Sequence, residues 1–271
     1  ANLHVSISGL TLANGDGFVL PDLENTTPSV GLGGSITYHN STTGGAIFNY
    51  EHLTVSDLVF QDNRARQGGA IFTESGAGAT MSVENSVFLR NQASDGGAIY
   101  GRSPLTVIDS SFVENQSTNN GGAIYAYTLT VSGSSFTENS AQKSGGAIYH
   151  LTGEFQVSDS TFDGNVAGQY GGGIYHSYRQ VWNWGGTTIP DRPDAGLRQS
   201  VVYLNPTEIT NCEFIENSAA NGGGIYSVEY IAQQNPAIDS SADPNQIVNT
   251  SSSFEFENSF DPQVILRDCS F

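Results

Sequence analysis

The chain is poor in basic residues. Of its 271 residues only nine are lysine or arginine, against 27 aspartates and glutamates, and the formal net charge is −18. Lys143 is the single lysine. Nucleic acids and anionic membrane surfaces are bound through clusters of positive charge. The composition therefore argues against both as partners. The negative charge itself has two equally good explanations, a solubilising acidic face and a role in cation binding.

Long apolar runs are also missing. No stretch of 18 apolar residues occurs, so no membrane-spanning helix is predicted and direct membrane insertion is not expected. Only 37% of the residues are hydrophobic and 32 are glycine. A compact globule usually carries more apolar residues, whereas each unit of a repeat protein needs to cover only its neighbours. No signal peptide is visible, and we expect residues 1–271 to form a single domain that is a segment of a longer chain.

A first repeated motif is the string Gly-Gly-x-Ile followed by an aromatic residue. It begins at Gly44, Gly68, Gly96, Gly121, Gly145, Gly171 and Gly222. Most successive copies begin 24 to 28 residues apart, and the last two are separated by roughly two periods. One unit therefore carries an insertion.

A second motif, Phe-x-x-Asn, follows each copy of the first by about 16 residues or, beside an insertion, by a different interval. Its asparagines are Asn63, Asn91, Asn115, Asn139, Asn165 and Asn217, and Phe271 begins a further copy. An alternating run such as Leu105–Phe112 precedes each phenylalanine. Alternation indicates strand, and the intervening Gly, Ser, Asn and Asp residues indicate turns.

A unit of about 25 residues has room for three short strands and three turns but none for a helix. We therefore predict an all-β fold, a right-handed parallel β-helix or solenoid of about eight coils of roughly 25 residues. Equivalent positions then stack at about 4.8 Å per coil. The isoleucines and the phenylalanines should form inward columns, and the six asparagines a buried, hydrogen-bonded ladder. The aromatic residue after each isoleucine should stack too, with its facing left open.

Paired GGAI and FxxN motifs resemble the repeat of the chlamydial polymorphic outer-membrane proteins. The resemblance covers about Gly44 to Asn217 and extends with insertions over Leu3 to Phe271. It implies the β-helix fold and an exported, adhesin-like protein located outside the cell or on its surface. It implies no substrate. The family's autotransporter barrel is absent from this sequence.

The repeat is broken in three places, residues 15–43, 176–206 and 227–263. The last two follow consecutive Gly-Gly-x-Ile motifs, so they should leave the solenoid at one corner and pack together. They contain Tyr178, Trp182, Trp184, Tyr203 and Tyr230. Two interpretations compete: a binding patch for a protein or glycan, or for other copies in an extracellular assembly, and rings that merely pack the loops against the solenoid wall.

Parallel β-helices also include polysaccharide lyases and hydrolases, so a carbohydrate-active enzyme is the alternative function. Glu114 and Glu138 should stack one coil apart, where an acid–base pair or calcium site competes with a solvated edge. His150 and His176 should also stack, but two histidines without a third ligand are weak evidence for a metal. We predict no catalytic residues, no metal site and no cofactor, with calcium left open.

Two further residue sets bear on an extracellular location. Acceptor sequences for N-glycosylation occur in the irregular segments at Asn25, Asn40 and Asn249, whereas Asn115 should be blocked inside the ladder. Cys212 and Cys269 share one repeat position and should be stacked neighbours. Extracellular oxidation favours a disulfide, but in-register side chains on parallel strands sit too far apart for an unstrained one. The sequence thus predicts a structural or adhesive surface protein that binds through its insertions.

Overall fold

A computed structural model describes residues 4–15, 43–75, 78–184, 199–200, 207–233, 246–248 and 264–271. The described residues contain strands and turns and no α-helix, as the sequence predicts. Each coil contributes one strand to each of up to four stacked sheets, which are numbered here in their order after the Gly-Gly motif.

The first sheet begins with the repeated isoleucine. Its strands are Ile47–Asn49, Ile71–Thr73, Ile99–Gly101, Ile124–Ala126, Ile148–His150, Ile174–Trp184, Ile225–Gln233 and Gln246–Val248, with Gln199–Ser200 paired to the sixth. The second sheet holds the alternating runs His4–Ser8, His52–Ser56, Met81–Glu84, Leu105–Ile108, Leu129–Ser132, Phe155–Ser158, Thr207–Thr210 and Val264–Arg267.

The third sheet carries the repeated phenylalanine. It consists of Thr11–Ala13, Val59–Gln61, Val87–Leu89, Ser111–Val113, Ser135–Thr137, Thr161–Asp163 and Glu213–Ile215. The fourth sheet is short and consists of Gln92–Ala93, Gln116–Ser117, Ser140–Ala141 and Val166–Ala167. All pairing between coils is parallel and joins equivalent repeat positions, such as Phe88 with Phe112. The predicted class, a parallel β-solenoid, is confirmed.

The coil count is lower than the predicted eight or so. About five turns run without interruption from Gly44 to Gly171, although the second sheet contains eight strands. The predicted count includes the outer units, which contribute strands to the second sheet but are interrupted by the long irregular segments.

Two inward columns fill the interior. The repeated isoleucines from Ile71 to Ile225 are buried, and so are the phenylalanines from Phe60 to Phe214. Successive phenylalanine rings stack nearly parallel, with centroids 4.6 to 5.1 Å apart through to Phe271. This offset stacking adds to the burial of apolar surface and repeats in every coil.

The two glycines of each motif are required for different structural reasons. Gly96 adopts a left-handed conformation (φ 61°) that other residues rarely take, and it starts the corner. Gly97 packs against the fourth sheet, where a Cβ would lie 2.6 Å from the carbonyl oxygen of Gln116. The first glycine is thus required by backbone conformation and the second by close approach.

The aromatic residue after each isoleucine lies on the opposite side of the strand from the core. Phe48, Phe72, Tyr100, Tyr125, Tyr149, Tyr175 and Tyr226 form one stack with centroids 4.5 to 5.6 Å apart. Tyr175 and Tyr226 form a cluster separate from the core. Because these rings cover one another, they face outward from the solenoid and yet have little exposed surface.

The asparagines form a continuous column at the corner between the third and fourth sheets. The Oδ1 of Asn139 accepts hydrogen bonds from the backbone nitrogen and the Nδ2 of Asn115, at 3.0 and 2.9 Å. Its Nδ2 donates to the carbonyl oxygen of Phe112 at 2.9 Å and to Asn165 at 3.0 Å. The column runs from Asn63 to Asn217, with Asn217 only half-buried. Each amide therefore ties three coils together.

A second polar column, of hydroxyl groups, joins the second and third sheets. Ser110 donates its Oγ hydrogen to the carbonyl oxygen of Ile108 at 2.8 Å and accepts one from the backbone nitrogen of Ser86 at 3.1 Å. Ser86, Ser134 and Ser160 repeat this arrangement. The hydroxyl column satisfies backbone groups at a corner where the strand ladder is interrupted.

Candidate functional site

The two late insertions leave the solenoid at the same corner and begin as paired strands. Strands Ile174–Trp184 and Ile225–Gln233 start in the first sheet but continue for 11 and 9 residues. They pair in parallel from Ile174 opposite Ile225 to Trp182 opposite Gln233. The end of the first strand, at Asn183 and Trp184, pairs with the antiparallel strand Gln199–Ser200, and the start of the second, from Tyr226 to Val228, pairs with the antiparallel strand Gln246–Val248. The two long strands therefore form a two-stranded extension of the first sheet with a short antiparallel strand at each end.

The register divides the aromatic residues of this extension into two sets. Tyr178, Trp182 and Trp184 occupy alternate positions and hence one face of their strand. Tyr230 pairs in register with Arg179, which places it on the other face. The sequence treats the five aromatic residues as one patch, whereas the strand register assigns only three of them to a common face. Tyr203 lies outside the described residues, and so do Asn25, Asn40 and Asn249.

A buried histidine pair lies at the base of the extension. His150 and His176 occupy the same position in consecutive coils and are fully enclosed. Their Nδ1 atoms are 2.9 Å apart, and Phe155 stacks on both rings. The Nε2 of His176 lies 3.1 Å from the hydroxyl of Thr207. The pair fills the interior where the first insertion begins, and the two preceding coils have Gly101 and Ala126 at this position.

Burial keeps both histidines neutral. Burial lowers the pKa of His150 to about 4, an effect that nearby backbone groups at Tyr127, Glu154 and Thr152 only partly offset. Burial also places the pKa of His176 well below its usual value, and His150 lowers it further. A neutral pair needs one Nδ1 donor and one Nδ1 acceptor. Enclosed in this way, the imidazoles are not placed to act on a substrate.

The predicted carboxylate column is a column of turn residues. Asp62, Arg90, Glu114, Glu138, Gly164 and Glu216 all have positive φ. Arg90 forms a bidentate ion pair with Asp62, at 2.9 and 3.0 Å, and holds the pKa of Asp62 below its usual value. The shared left-handed turn explains why these residues align. Throughout the described ranges, no group of three or more His, Cys, Asp or Glu residues could hold a metal ion.

The two cysteines occupy equivalent positions in consecutive coils and are free thiols. The backbone nitrogen of Ser270 donates to the carbonyl oxygen of Cys212 at 3.0 Å, which joins the two turns. Cys212 donates its thiol hydrogen to the carbonyl oxygen of Thr210 at 3.2 Å, in the way that Ser160 bonds Ser158. Burial raises the pKa of Cys212 to about 11. The cysteines therefore continue the hydroxyl column as thiols.

Comparison with known proteins identifies the repeat. The family model of the Chlamydia polymorphic membrane protein repeat matches six times, at residues 57–74, 85–102, 109–127, 133–150, 159–177 and 211–228. The resemblance noted from the GGAI and FxxN motifs is thereby confirmed. No curated protein and no solved structure matches the chain significantly. None of the described residues belongs to a helix that could cross a membrane.

Proposed function

From the premise that this chain is a parallel β-solenoid of Chlamydia polymorphic membrane protein repeats, we propose that it is a rigid adhesive protein of the cell surface. Its binding surface is the extension of the first sheet formed by the insertions. The observation that carries the proposal is the placement of Tyr178, Trp182 and Trp184 on one face of a strand that extends beyond the repeated coil.

The solenoid supplies a stiff support for this surface. Its inward phenylalanine, asparagine and hydroxyl columns run through consecutive coils and connect each coil to the next. A preorganised surface loses less conformational entropy on binding than a mobile loop does. The paired start of the extension transmits that rigidity to the first residues of both insertions.

The residue types of the extension suit adhesion. Tryptophan and tyrosine dominate binding hot spots because they bury a large area and lose few rotamers. A glycan, a surface protein or another copy of the chain would each contact such an aromatic face. The acidic body, with net charge −18, disfavours polyanionic partners.

The double variant Trp182→Ala, Trp184→Ala tests the proposal, with Tyr50→Ala as a control for an aromatic residue on the solenoid body. Three assays should be run on each protein: a glycan array, binding to immobilised matrix glycoproteins, and sedimentation velocity for self-association. The double variant should lose the interaction seen with the native chain while its melting temperature stays nearly unchanged. Lowered stability with retained binding would show that the rings only pack the insertions.

A carbohydrate-active enzyme has less support. The stacked pair His150 and His176 is enclosed in the interior, and Asp62 is paired with Arg90 at a turn. Release of reducing ends or unsaturated products from polysaccharides by the native chain would favour that alternative.

A further inference from the structure

The two ends of the first insertion meet at one buried cluster. The chain leaves the regular coil at His176 and Ser177, and Thr207 begins the strand with which it returns. The Nε2 of His176 lies 3.1 Å from the hydroxyl oxygen of Thr207, across 31 residues of sequence. Ser177 donates its hydroxyl hydrogen to the carbonyl oxygen of Leu151 at 2.7 Å. Side chains therefore close the base of the insertion, and we call His150, His176, Ser177 and Thr207 the insertion junction.

The fold does not require imidazoles at this junction. Gly101 and Ala126 occupy the same repeat position in the two preceding coils. Both histidines are buried, and the Nε2 of His150 has no hydrogen-bond partner. Apolar side chains would fill the space without the cost of burying polar nitrogen atoms. The junction instead contains two copies of the side chain whose charge ordinarily changes between pH 5 and pH 8.

The geometry of the pair opposes proton uptake. The Nδ1 atoms of His150 and His176 are 2.9 Å apart, so one ring donates an N–H hydrogen to the other. If both rings are protonated, each Nδ1 carries a hydrogen that points at the other, and the rings must separate. One added proton at an Nε2 leaves this contact intact but places a charge in the interior. The closed junction therefore excludes the second proton and disfavours the first.

No acidic side chain compensates for a charge on the pair. The two imidazoles lie against Phe155, Thr207 and Ala126, none of which is charged. Glu154 is exposed, and Glu208 occupies the outward-facing position next to Thr207. Apart from each other, no titratable side chain among the described residues acts on either ring. Protonation therefore favours a conformation in which the imidazoles reach water.

We propose that the insertion junction opens on acidification: His176 separates from His150 and Thr207, and the extension loosens while the preceding coils stay folded. The preceding coils are connected by phenylalanine and asparagine columns, whose side chains do not titrate. The junction thus regulates the surface proposed above. Only one consequence rests on that proposed function, namely that a bound partner is released in acid.

Hydrogen–deuterium exchange of the full chain from pH 7 to pH 5, corrected for the intrinsic exchange rate at each pH, tests this proposal. With an ordinary pKa of about 6.5 in the open state, two histidines raise the opening constant about 600-fold over this range, and one raises it about 25-fold. Amides of Ile174–Trp184 and Ile225–Gln233 should lose protection by about the larger factor. Amides of the regular strands Leu105–Ile108 and Ser111–Val113 should stay protected at pH 5.

Variants assign the effect to the junction. The double variant His150→Phe, His176→Phe should abolish the acid response, and His176→Phe alone should reduce it to about 25-fold. His52→Phe is the matched control, because His52 contacts the hydroxyl of Thr80 at 2.8 Å on the surface, and it should respond as the native chain does. Thr207→Val removes the hydroxyl at the end of the insertion but no imidazole. It should speed exchange of the extension at pH 7 and retain the acid response.

Three results would overturn the proposal. The opening constant of the extension could rise less than about tenfold, the extension and the regular coils could lose protection together, or the double variant could respond as the native chain does. If the double variant does not fold, an undiminished response of His176→Phe overturns the proposal instead. None of these readouts involves a partner. Retained binding by Trp182→Ala, Trp184→Ala would therefore contradict the adhesive surface without affecting this test.

Discussion

The uninterrupted coils from Gly44 to Gly171 and the coils beyond them follow the same register with very different chain lengths. Within the regular part, Asn139 bonds Asn165 across 26 residues. Across the first insertion, Asn165 bonds Asn217 across 52 residues with the same geometry. The phenylalanine column crosses the same break, with Phe162 and Phe214 4.8 Å apart. The coils on either side of the first insertion are therefore direct neighbours.

The interior changes where the insertions begin. The inward position held by Gly101 and Ala126 becomes His150 and His176, and Leu129 is followed by Phe155 in register. Cys212 replaces the serine of the hydroxyl column in the next coil. The stacked columns therefore maintain the fold, while single column positions differ where the extension begins.

The largest effect is expected from Asn139→Ala, in the middle of the regular part. The change removes two acceptor and two donor interactions and leaves buried backbone and amide groups without partners. Because each such group costs about 1–3 kcal/mol, the free energy of unfolding should fall by about 3–5 kcal/mol. Denaturant unfolding followed by circular dichroism measures it.

Asn217→Ala is the matched control beyond the break. Asn217 is half-buried, and water can replace part of its bonding. Asn217→Ala should lower the free energy of unfolding clearly less than Asn139→Ala does. Equal costs would contradict the view that enclosure within consecutive coils gives the column its strength.

A pH dependence of stability should arise from the histidine pair. Both folded-state pKa values are depressed, so below pH 6.5 the unfolded chain binds protons that the folded chain excludes, and for His150 this continues down to about pH 4. The contribution of the two neutral histidines to the free energy of unfolding is thus present above pH 6.5 and is lost on acidification. For His150 alone the loss is on the order of 3 kcal/mol, from a pKa displaced to about 4.

The variant His150→Phe, His176→Phe keeps aromatic rings against Phe155 but cannot take up these protons. Its stability should vary less between pH 7 and pH 4 than that of the native chain, whatever its stability at pH 7. Identical pH slopes, measured by urea unfolding, would show that other groups cause the dependence.

The smallest effect is expected from Cys212→Ser, which restores the residue of earlier coils. Its hydroxyl should take over the bond to Thr210, so the free energy of unfolding should change by less than about 1 kcal/mol. Thiol titration of the native chain gives an independent check. Half-buried Cys269 should react well before buried Cys212, whose pKa is raised, and simultaneous reaction would contradict the placement.

The fold could be predicted from the sequence because a repeated coil places equivalent residues above one another. The isoleucine and phenylalanine columns follow from that rule alone. The left-handed turns could also be predicted. One repeat position always holds Asp, Asn or Gly, residue types that tolerate positive φ, as at Asp57, Asn85, Asp109, Gly133 and Asp159.

The site was less predictable because its features depend on tertiary placement. The outward facing of the tyrosine stack depends on how the corner packs, and the separation of Tyr230 from Trp182 depends on strand register.

The asparagine and phenylalanine columns cross the first insertion without an added coil. Gln61, Asp163 and Ile215 lie in one outer column of the third sheet, with Asp163 directly beside Ile215. In a Cys212→Ser, Cys269→Ser background, spin labels on the pair Gln61→Cys, Asp163→Cys span four steps, and those on Gln61→Cys, Ile215→Cys span five.

Pulsed electron–electron double resonance should give a mean distance of about 19 Å for the first pair and about 24 Å for the second, from the strand spacing. The difference between the pairs is the decisive quantity, because label flexibility contributes equally to both. A difference of about 5 Å is predicted. A difference of about 10 Å would mean that residues 176–206 form a coil of their own, and would contradict the account.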